Sequence, residues 1–243
     1  MKDLRVVIVV SLMLIAGMAV ADQPYEQYSE VPAGSHTAVQ SEGANQAGTD
    51  RALTFFADRT AFETAFPGLP TEDFSATLAG GGIVSCPVPW NSTTDNSCFG
   101  PGGIMAGIEL DVNMITGGGD GAVLGIGSFG NAHVWVGPNS FGDDLVLNFD
   151  PAVRAVGFDL VNPMTAPQTH SVEIFGPSGS IGTTTVVDSG AEGNFWGVDA
   201  DDVGGITSII FNNAGDDAFS ELVLLVTFGG TPVPVELQSF NIE

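Results

Sequence analysis

Apolar and polar side chains alternate along much of this chain, and the alternation is clearest in residues 145–160. Every second residue is apolar in residues 145–149 and again in residues 156–160, which is the two-residue side-chain period of a β-strand. Pro151 lies between the two runs, where it fixes φ and removes a backbone donor, so it indicates a turn. The pattern therefore predicts two strands paired as a buried hairpin, which further strands must cover because a lone hairpin is marginal in water.

Short apolar runs, separated by Gly, Pro, Asn, Asp and Ser, predict more strands on both sides of this hairpin. No long helical pattern and no fixed-period repeat interrupts them. These predicted strands cover residues 53–56, 71–75, 83–85, 103–110, 122–126, 132–136, 170–175, 183–187, 195–198, 206–211 and 222–228. One short helix is predicted after the first strand, with Asp58 as N-cap, Phe62 and Phe66 on one face, and Pro67 at its end. The predicted fold class is all-β, a two-sheet antiparallel jelly-roll-like sandwich with one short N-terminal helix.

The first 50 residues differ from the rest. Residues 1–21 carry Lys2 and Arg5, then an apolar run, then a small-x-small ending, which together predict a secretory signal peptide. A retained membrane anchor is the alternative, but the apolar run is short for a span of about 20 residues. Residues 22–50 predict a disordered acidic and polar leader. The sandwich domain is expected over residues 51–229 and a tail or edge strand over residues 230–243, in a secreted, extracellular protein, with the periplasm as the alternative location.

Charge narrows the range of partners. The chain has 29 acidic and 5 basic residues, a net charge of -24, and loss of Lys2, Asp3 and Arg5 with the signal would leave 28 and 3. Such a chain repels phosphate backbones and anionic lipids, so we expect no nucleic-acid partner and no membrane contact after signal cleavage. Cations are the natural partners, although solubility alone also accounts for the acidity.

The two cysteines, Cys86 and Cys98, predict a disulfide. An even pair this close in an exported protein is most simply a disulfide, and closing this loop contributes about 3 kcal/mol on the chain-entropy model. A metal role would require more soft ligands nearby, and no histidine lies between the two cysteines.

Clusters of acidic residues are the main chemical lead, because calcium prefers several hard oxygen ligands on loops. Glu221 is expected to approach Asp73, since the first and last strands of such sandwiches often pair. No stretch satisfies the full pattern of an EF-hand loop. The predicted metal ligands are Asp73, Asp199, Asp201, Asp202, Asp216, Asp217 and Glu221.

The aromatic residues offer a candidate ligand-binding site, and the histidines and carboxylates offer candidate catalytic groups. Trp90, in the loop between the cysteines, is the predicted ligand-binding residue, because an exposed aromatic ring can stack on a sugar. His133 and His170 fall in predicted strands, where a packed or surface-exposed imidazole is the common case, and no residue is predicted to be catalytic. Two loop carboxylates facing each other would instead suit a glycosidase-like hydrolase.

Three phrases carry a resemblance that covers residues 53–229. They are FFADRTAFETAFPGLPTEDFSA, LVLNFDPAVRAVGFDL and FWGVDADDVGGITSIIF, in that order. They resemble secreted bacterial β-sandwich proteins, many of which end in a PEP-CTERM sorting tail, although the tail itself is not found here. The resemblance implies the sandwich fold, which carbohydrate-binding modules share, and implies little about activity.

The sequence thus predicts a secreted, non-catalytic β-sandwich protein that acts as a surface, matrix or carbohydrate-binding component. Calcium is the one expected cofactor, with a stabilising role. The expected partner is an extracellular glycan or surface matrix. The alternative is an exported hydrolase that uses loop carboxylates.

Overall fold

A computed structural model of the chain describes residues 53–113, 119–140, 142–162, 167–188, 193–212 and 221–232. The predicted signal peptide, the predicted leader and residues 233–243 of the predicted tail lie outside these ranges. Within them, no helix is long and apolar enough to cross a membrane.

The described residues form β-strands with one short helix near the start, as predicted. In chain order the elements are β1 (Thr54–Phe56), α1 (Arg59–Ala65), β2 (Thr71–Glu72), β3 (Ile83–Pro87), β4 (Ile108–Asn113), β5 (Asp120–Leu124), β6 (Trp135–Pro138), β7 (Asp144–Val153), β8 (Ala155–Val161), β9 (Thr169–Gly176), β10 (Gly179–Val187), β11 (Asn194–Asp199), a 3-10 helix (Asp201–Val203), β12 (Ile206–Asn212) and β13 (Leu222–Gly229).

The strands form two antiparallel sheets. The eight-stranded sheet has the order β1-β11-β8-β13-β6-β5-β3, with β2 also paired to β13. The five-stranded sheet has the order β10-β9-β12-β7-β4. Successive strands often lie in opposite sheets, so the chain crosses the space between them many times. The prediction of a two-sheet antiparallel architecture is confirmed.

The predicted hairpin is wrong, although both of its strands exist. β7 pairs with β4 and β12 in the five-stranded sheet, whereas β8 pairs with β11 and β13 in the other sheet. Pro151 does not turn the chain but lies within β7, where the register with β12 shifts between Asn148 and Val153. Its missing N–H is tolerated because the ladder is already interrupted there. The chain changes sheets three residues later, at Arg154.

The predicted faces of these two strands are correct. Leu147 and Phe149 of β7 and Phe158 of β8 are buried in the core cluster that fills the space between the sheets. The ring of Phe158 meets that of Phe211 on β12 edge-on, with centroids 4.7 Å apart, so the two sheets contact each other directly. The side-chain period thus identifies which residues face the core, whichever strands pair.

Helix α1 covers the outer face of the eight-stranded sheet. Asp58 caps it as predicted, since Oδ1 accepts a hydrogen bond of 2.8 Å from Ala61 N. Phe62 is fully buried, and it packs where Gly157 of β8 pairs with Gly197 of β11. A Cβ at either glycine would lie 2.8–3.0 Å from an aromatic ring atom, so the two glycines make the notch that admits the Phe62 ring.

Cys86 and Cys98 form the predicted disulfide. Both residues are buried in the core between the sheets, and the bond joins the end of β3 to the loop that follows it. Because no described cysteine is free, a thiol assay on the folded protein should find none in this part of the chain.

Candidate functional site

Asp199 and Asp201, two of the predicted calcium ligands, are both held by Arg154. The Arg154 Nε and Nη2 atoms lie 3.0 Å from the two carboxylate oxygens of Asp199, in the forked geometry that arginine favours. Its Nη1 lies 3.3 Å from Asp201 Oδ2. A guanidinium at the centre of this group repels a metal cation, so these two carboxylates form an ion-pair network where calcium was expected.

Asp73 and Glu221, two of the other predicted metal ligands, have different partners. Asp73 Oδ1 accepts a hydrogen bond of 2.9 Å from Ser75 N, and its hydrogen bonds to Ser75 hold the pKa of Asp73 below its usual value. Asp73 follows β2, whose Glu72 pairs with Val226 of β13, five positions after Glu221, so the register does not place Asp73 opposite Glu221. Only the backbone of Asp202 is described.

Asp216 and Asp217 lie outside the described residues. Among the side chains that the structure does describe, no three His, Cys, Asp or Glu residues are grouped so that they could hold a metal ion. The calcium prediction therefore receives no ligand set from this part of the chain.

Glu221 instead belongs to a buried cluster with His170 and Asp188. His170 Nε2 lies 2.8 Å from Asp188 Oδ2, and Nδ1 lies 3.4 Å from Glu221 Oε1. All three side chains are at most 1% exposed. His170 is on β9 of the five-stranded sheet, and Glu221 directly precedes β13 of the other sheet, so the cluster connects the two sheets.

Two carboxylates keep the His170 ring protonated. Burial by itself lowers the pKa of His170, but the hydrogen bonds and charges of Asp188 and Glu221 outweigh burial and raise that pKa to about 9. Burial also raises the pKa of Glu221, an effect that His170 opposes and Asp144 reinforces. Both ring nitrogens face carboxylate oxygens, so protein groups contact the imidazole on both sides. The cluster is therefore a buried ion-pair network that links the two sheets.

The sequence contains a signal for this burial. His170 has the same parity as Val172 and Ile174, which face the core, so the strand pattern alone puts the imidazole inside. The sequence analysis expected a packed or exposed ring and did not identify Asp188. That residue follows β10 immediately, and nothing local marks it as the partner of a histidine 18 positions earlier.

The prediction that Trp90 binds a ligand through an exposed ring is wrong. Trp90 is 1% exposed, its Nε1 donates a hydrogen bond of 2.8 Å to the Pro87 carbonyl, and its ring packs on Phe99. A Cβ on Gly121 would lie 2.5 Å from the ring, so this glycine of β5 makes room for it. Because its faces are enclosed in this way, the Trp90 ring is part of the hydrophobic core.

The described surface does contain an apolar depression at one corner of the eight-stranded sheet. It has a volume of about 270 Å³. Its lining residues are Ser75, Thr77, Gly80, Gly81, Ile126 and Val134. The lining residues come from two stretches of chain, residues 75–83 and 126–134, which hold four of the six large apolar side chains that are exposed in the described residues. These four are Leu78, Ile83, Ile126 and Phe129, of which only Ile126 is part of the lining.

Close backbone contact shapes this apolar depression. Gly125 N donates a hydrogen bond of 2.8 Å to Gly82 O, which joins the end of β5 to the glycine run before β3. A Cβ at Gly125 would lie 1.6 Å from the Gly80 carbonyl oxygen, so only glycine permits this approach. The sequence analysis treated these glycines as turn residues and did not predict a surface feature there.

Phe129 is an exposed aromatic residue three positions after Ile126 and is not itself part of the lining. Its ring lies parallel to that of buried Trp135, with 6.3 Å between centroids and 4° between planes, and it is 39% exposed. One side of the ring is thus supported while another part meets solvent. The lining itself combines the side chains of Ile126 and Val134 with the hydroxyls of Ser75 and Thr77, so it offers both apolar and polar groups, as ligand sites usually do.

Comparison of the chain with models of known protein families, and with curated proteins, finds no match.

Proposed function

We propose that this protein is an exported, non-catalytic surface or matrix component that binds extracellular carbohydrate at the apolar depression. The observation that carries the proposal is the exposure of large apolar side chains in the two stretches of chain that line the depression, residues 75–83 and 126–134. Exposed apolar side chains gathered in one place commonly mark binding sites, whereas scattered ones do not. Sugars present apolar C–H faces and hydroxyls. The lining offers Ile126 and the hydroxyls of Ser75 and Thr77, and the exposed Phe129 ring lies three residues after Ile126 in the chain.

We also propose the finer features that agree with this function. The repeated crossing of the chain between sheets supports a jelly-roll arrangement of the sandwich. The signal-like pattern of residues 1–21 and the disulfide support export, because disulfides persist in oxidising compartments. The resemblance to secreted bacterial β-sandwich proteins supports the same location.

Glycan binding tests the carbohydrate proposal. We expect the wild-type protein to bind members of a panel of bacterial and algal polysaccharides on an array. Replacement Phe129→Ala should weaken binding to the best of these about tenfold, a loss of about 1.4 kcal/mol, because the stacking ring is gone. Isothermal titration with a soluble fragment of that polysaccharide gives the affinity.

Phe55→Ala is the matched control for this experiment. Phe55 is a similarly exposed phenylalanine on β1, outside the two segments that form the depression, so its removal should leave the affinity unchanged. Absence of binding by the wild-type protein on every glycan, or equal affinity of wild type and Phe129→Ala, would refute the carbohydrate proposal.

Calcium stabilisation is a separate proposal, supported by the large excess of acidic residues and by the adjacent predicted ligands Asp216 and Asp217, which lie outside the described residues. If calcium binds the folded chain at a concentration about 100 times its Kd, chelation should remove about 2.7 kcal/mol of stability. We therefore expect EDTA to lower the melting temperature, and Asp216→Asn with Asp217→Asn to abolish that effect. A melting temperature that does not change with EDTA would eliminate calcium.

A further inference from the structure

The strand β10 forms one edge of the five-stranded sheet and carries no charge. It runs for nine residues with the sequence GSIGTTTVV, without proline, aspartate, glutamate, lysine or arginine. One of its edges pairs with β9, and no described strand pairs with the other. Its single irregularity lies near its start, between Ser180 and Gly182, so the stretch from Gly182 to Val187 is regular.

The other three sheet edges are protected, which makes β10 an exception. On the far side of the same sheet, β4 carries Glu109 and Asp111, and its edge is bridged by two backbone hydrogen bonds between Trp90 and Leu110. In the eight-stranded sheet, β1 has only three residues, and β3 ends in Pro87 beside the disulfide. Short length, charge, proline and covering segments are the usual means of preventing edge-to-edge association.

The charge of the whole chain determines what can pair with this edge. Two copies with a net charge of -24 each repel one another over most of their surfaces. Along β10 no charged residue opposes another when two copies of the strand lie side by side. In antiparallel alignment the strand is also complementary to itself, because three of its exposed side chains, Ser180, Thr183 and Thr185, are small hydroxyls that can hydrogen-bond across the pair, and the exposed Val187 is uncharged.

We propose that two copies of this chain associate through antiparallel pairing of β10 with β10 about a two-fold axis. The two five-stranded sheets then become one continuous ten-stranded sheet. A two-fold contact of this kind uses the same patch on both partners and closes on itself. Because repulsion between the acidic bodies opposes the contact, the dimer strengthens as salt screens charge.

Sedimentation velocity of the wild-type protein across a concentration series tests this proposal. The screening length is about 10 Å at about 0.1 M salt and about 3 Å at about 1 M. We expect the dimer dissociation constant to decrease roughly tenfold or more between these two conditions. In the dimer, hydrogen exchange of the β10 amides should slow selectively as protein concentration rises.

Two variants that add the same charge distinguish an effect at the β10 edge from an effect of general charge repulsion between two copies. Thr185→Glu adds a charge to the solvent-facing side of β10, close to the same charge on the paired strand of the partner, and should abolish the dimer at either salt concentration. Thr60→Glu adds the same charge at an exposed position of α1 and should leave most of the dimer intact. A wild-type protein that stays monomeric at high salt and high concentration would overturn the proposal. So would a dimer that Thr185→Glu leaves unchanged, or one that both variants abolish equally.

Discussion

Replacement His170→Gln should lower the free energy of unfolding by about 3–5 kcal/mol at neutral pH, because it leaves Asp188 and Glu221 buried without their cation. Neither carboxylate is exposed enough for water to take over that role. Denaturant unfolding of both proteins measures the difference. Since the cluster joins β9 to the segment before β13, the loss should appear in the global transition and not as local fraying.

The same cluster predicts how stability depends on pH. The pKa of His170 is about 9 in the folded chain against an ordinary value of 6.5. A raised pKa means that the folded state holds the proton more tightly, so this contribution is complete below about pH 6.5 and is lost as pH rises through about 9. At about 1.4 kcal/mol per pKa unit, the shift corresponds to about 3 kcal/mol. The raised pKa of Glu221 acts in the same direction.

His133→Gln is the control for both experiments. His133 is exposed, and the hydrogen bond it receives from Asn131 is accepted by its backbone carbonyl, which the substitution keeps. That variant should retain wild-type stability and the decline between about pH 6.5 and 9, whereas His170→Gln should lose the decline. In the double variant His170→Gln, Glu221→Gln, part of the stability should return, since one unpaired charge is gone. Wild-type stability in His170→Gln would contradict this account.

Replacement Trp90→Ala should cost about 3–5 kcal/mol, as large-to-small changes of a fully buried tryptophan do. The ring packs against Phe99 and over Gly121 of the eight-stranded sheet, while the Trp90 backbone bridges Leu110 of the five-stranded sheet. Its loss opens a cavity where the two sheets meet the disulfide loop. Urea unfolding provides the measurement.

Trp90→Phe separates packing from the indole hydrogen bond to Pro87. It keeps an aromatic ring and loses the Nε1–H donor, so we expect a smaller cost of about 1–2 kcal/mol. A surface ring used for sugar stacking would behave differently, because its truncation changes stability by no more than about 0.5 kcal/mol. A cost of that size for Trp90→Ala would mean that the ring is not packed as described.

Local sequence pattern predicted strands and faces well, and strand partners poorly. Each predicted strand overlaps an observed one, although the strand predicted over residues 103–110 begins only at Ile108, and the residues predicted to face inward from β7 and β8 are buried. The hairpin was wrong because a two-residue period specifies a face and does not specify a neighbour. With Arg154 as the only residue between them, β7 and β8 are close in sequence and yet belong to different sheets.

The contacts of the site residues divide in the same way: those between residues close in sequence were predictable, and those between distant residues were not. The N-cap at Asp58 depends on residues three positions away and was predictable, as was the disulfide between nearby cysteines. Asp199 lies 45 positions from its partner Arg154, and Glu221 lies 51 positions from its partner His170. Both contacts depend on which strands lie side by side. Acidic residues that looked like calcium ligands on separate loops therefore became ion-pair partners once the sheets formed.

The pairing of the first described strand has a consequence for biogenesis. Thr54 of β1 finds its partner Asp199 on β11, 145 positions later in the chain. Contacts between residues this far apart in sequence form slowly, because the entropy cost of closing the loop comes before the contact contributes any stabilising free energy. A polypeptide emerging from the ribosome therefore exposes incomplete sheet edges until β11 has been synthesised. Premature termination before β11 would produce an aggregation-prone fragment and would not produce a smaller folded domain.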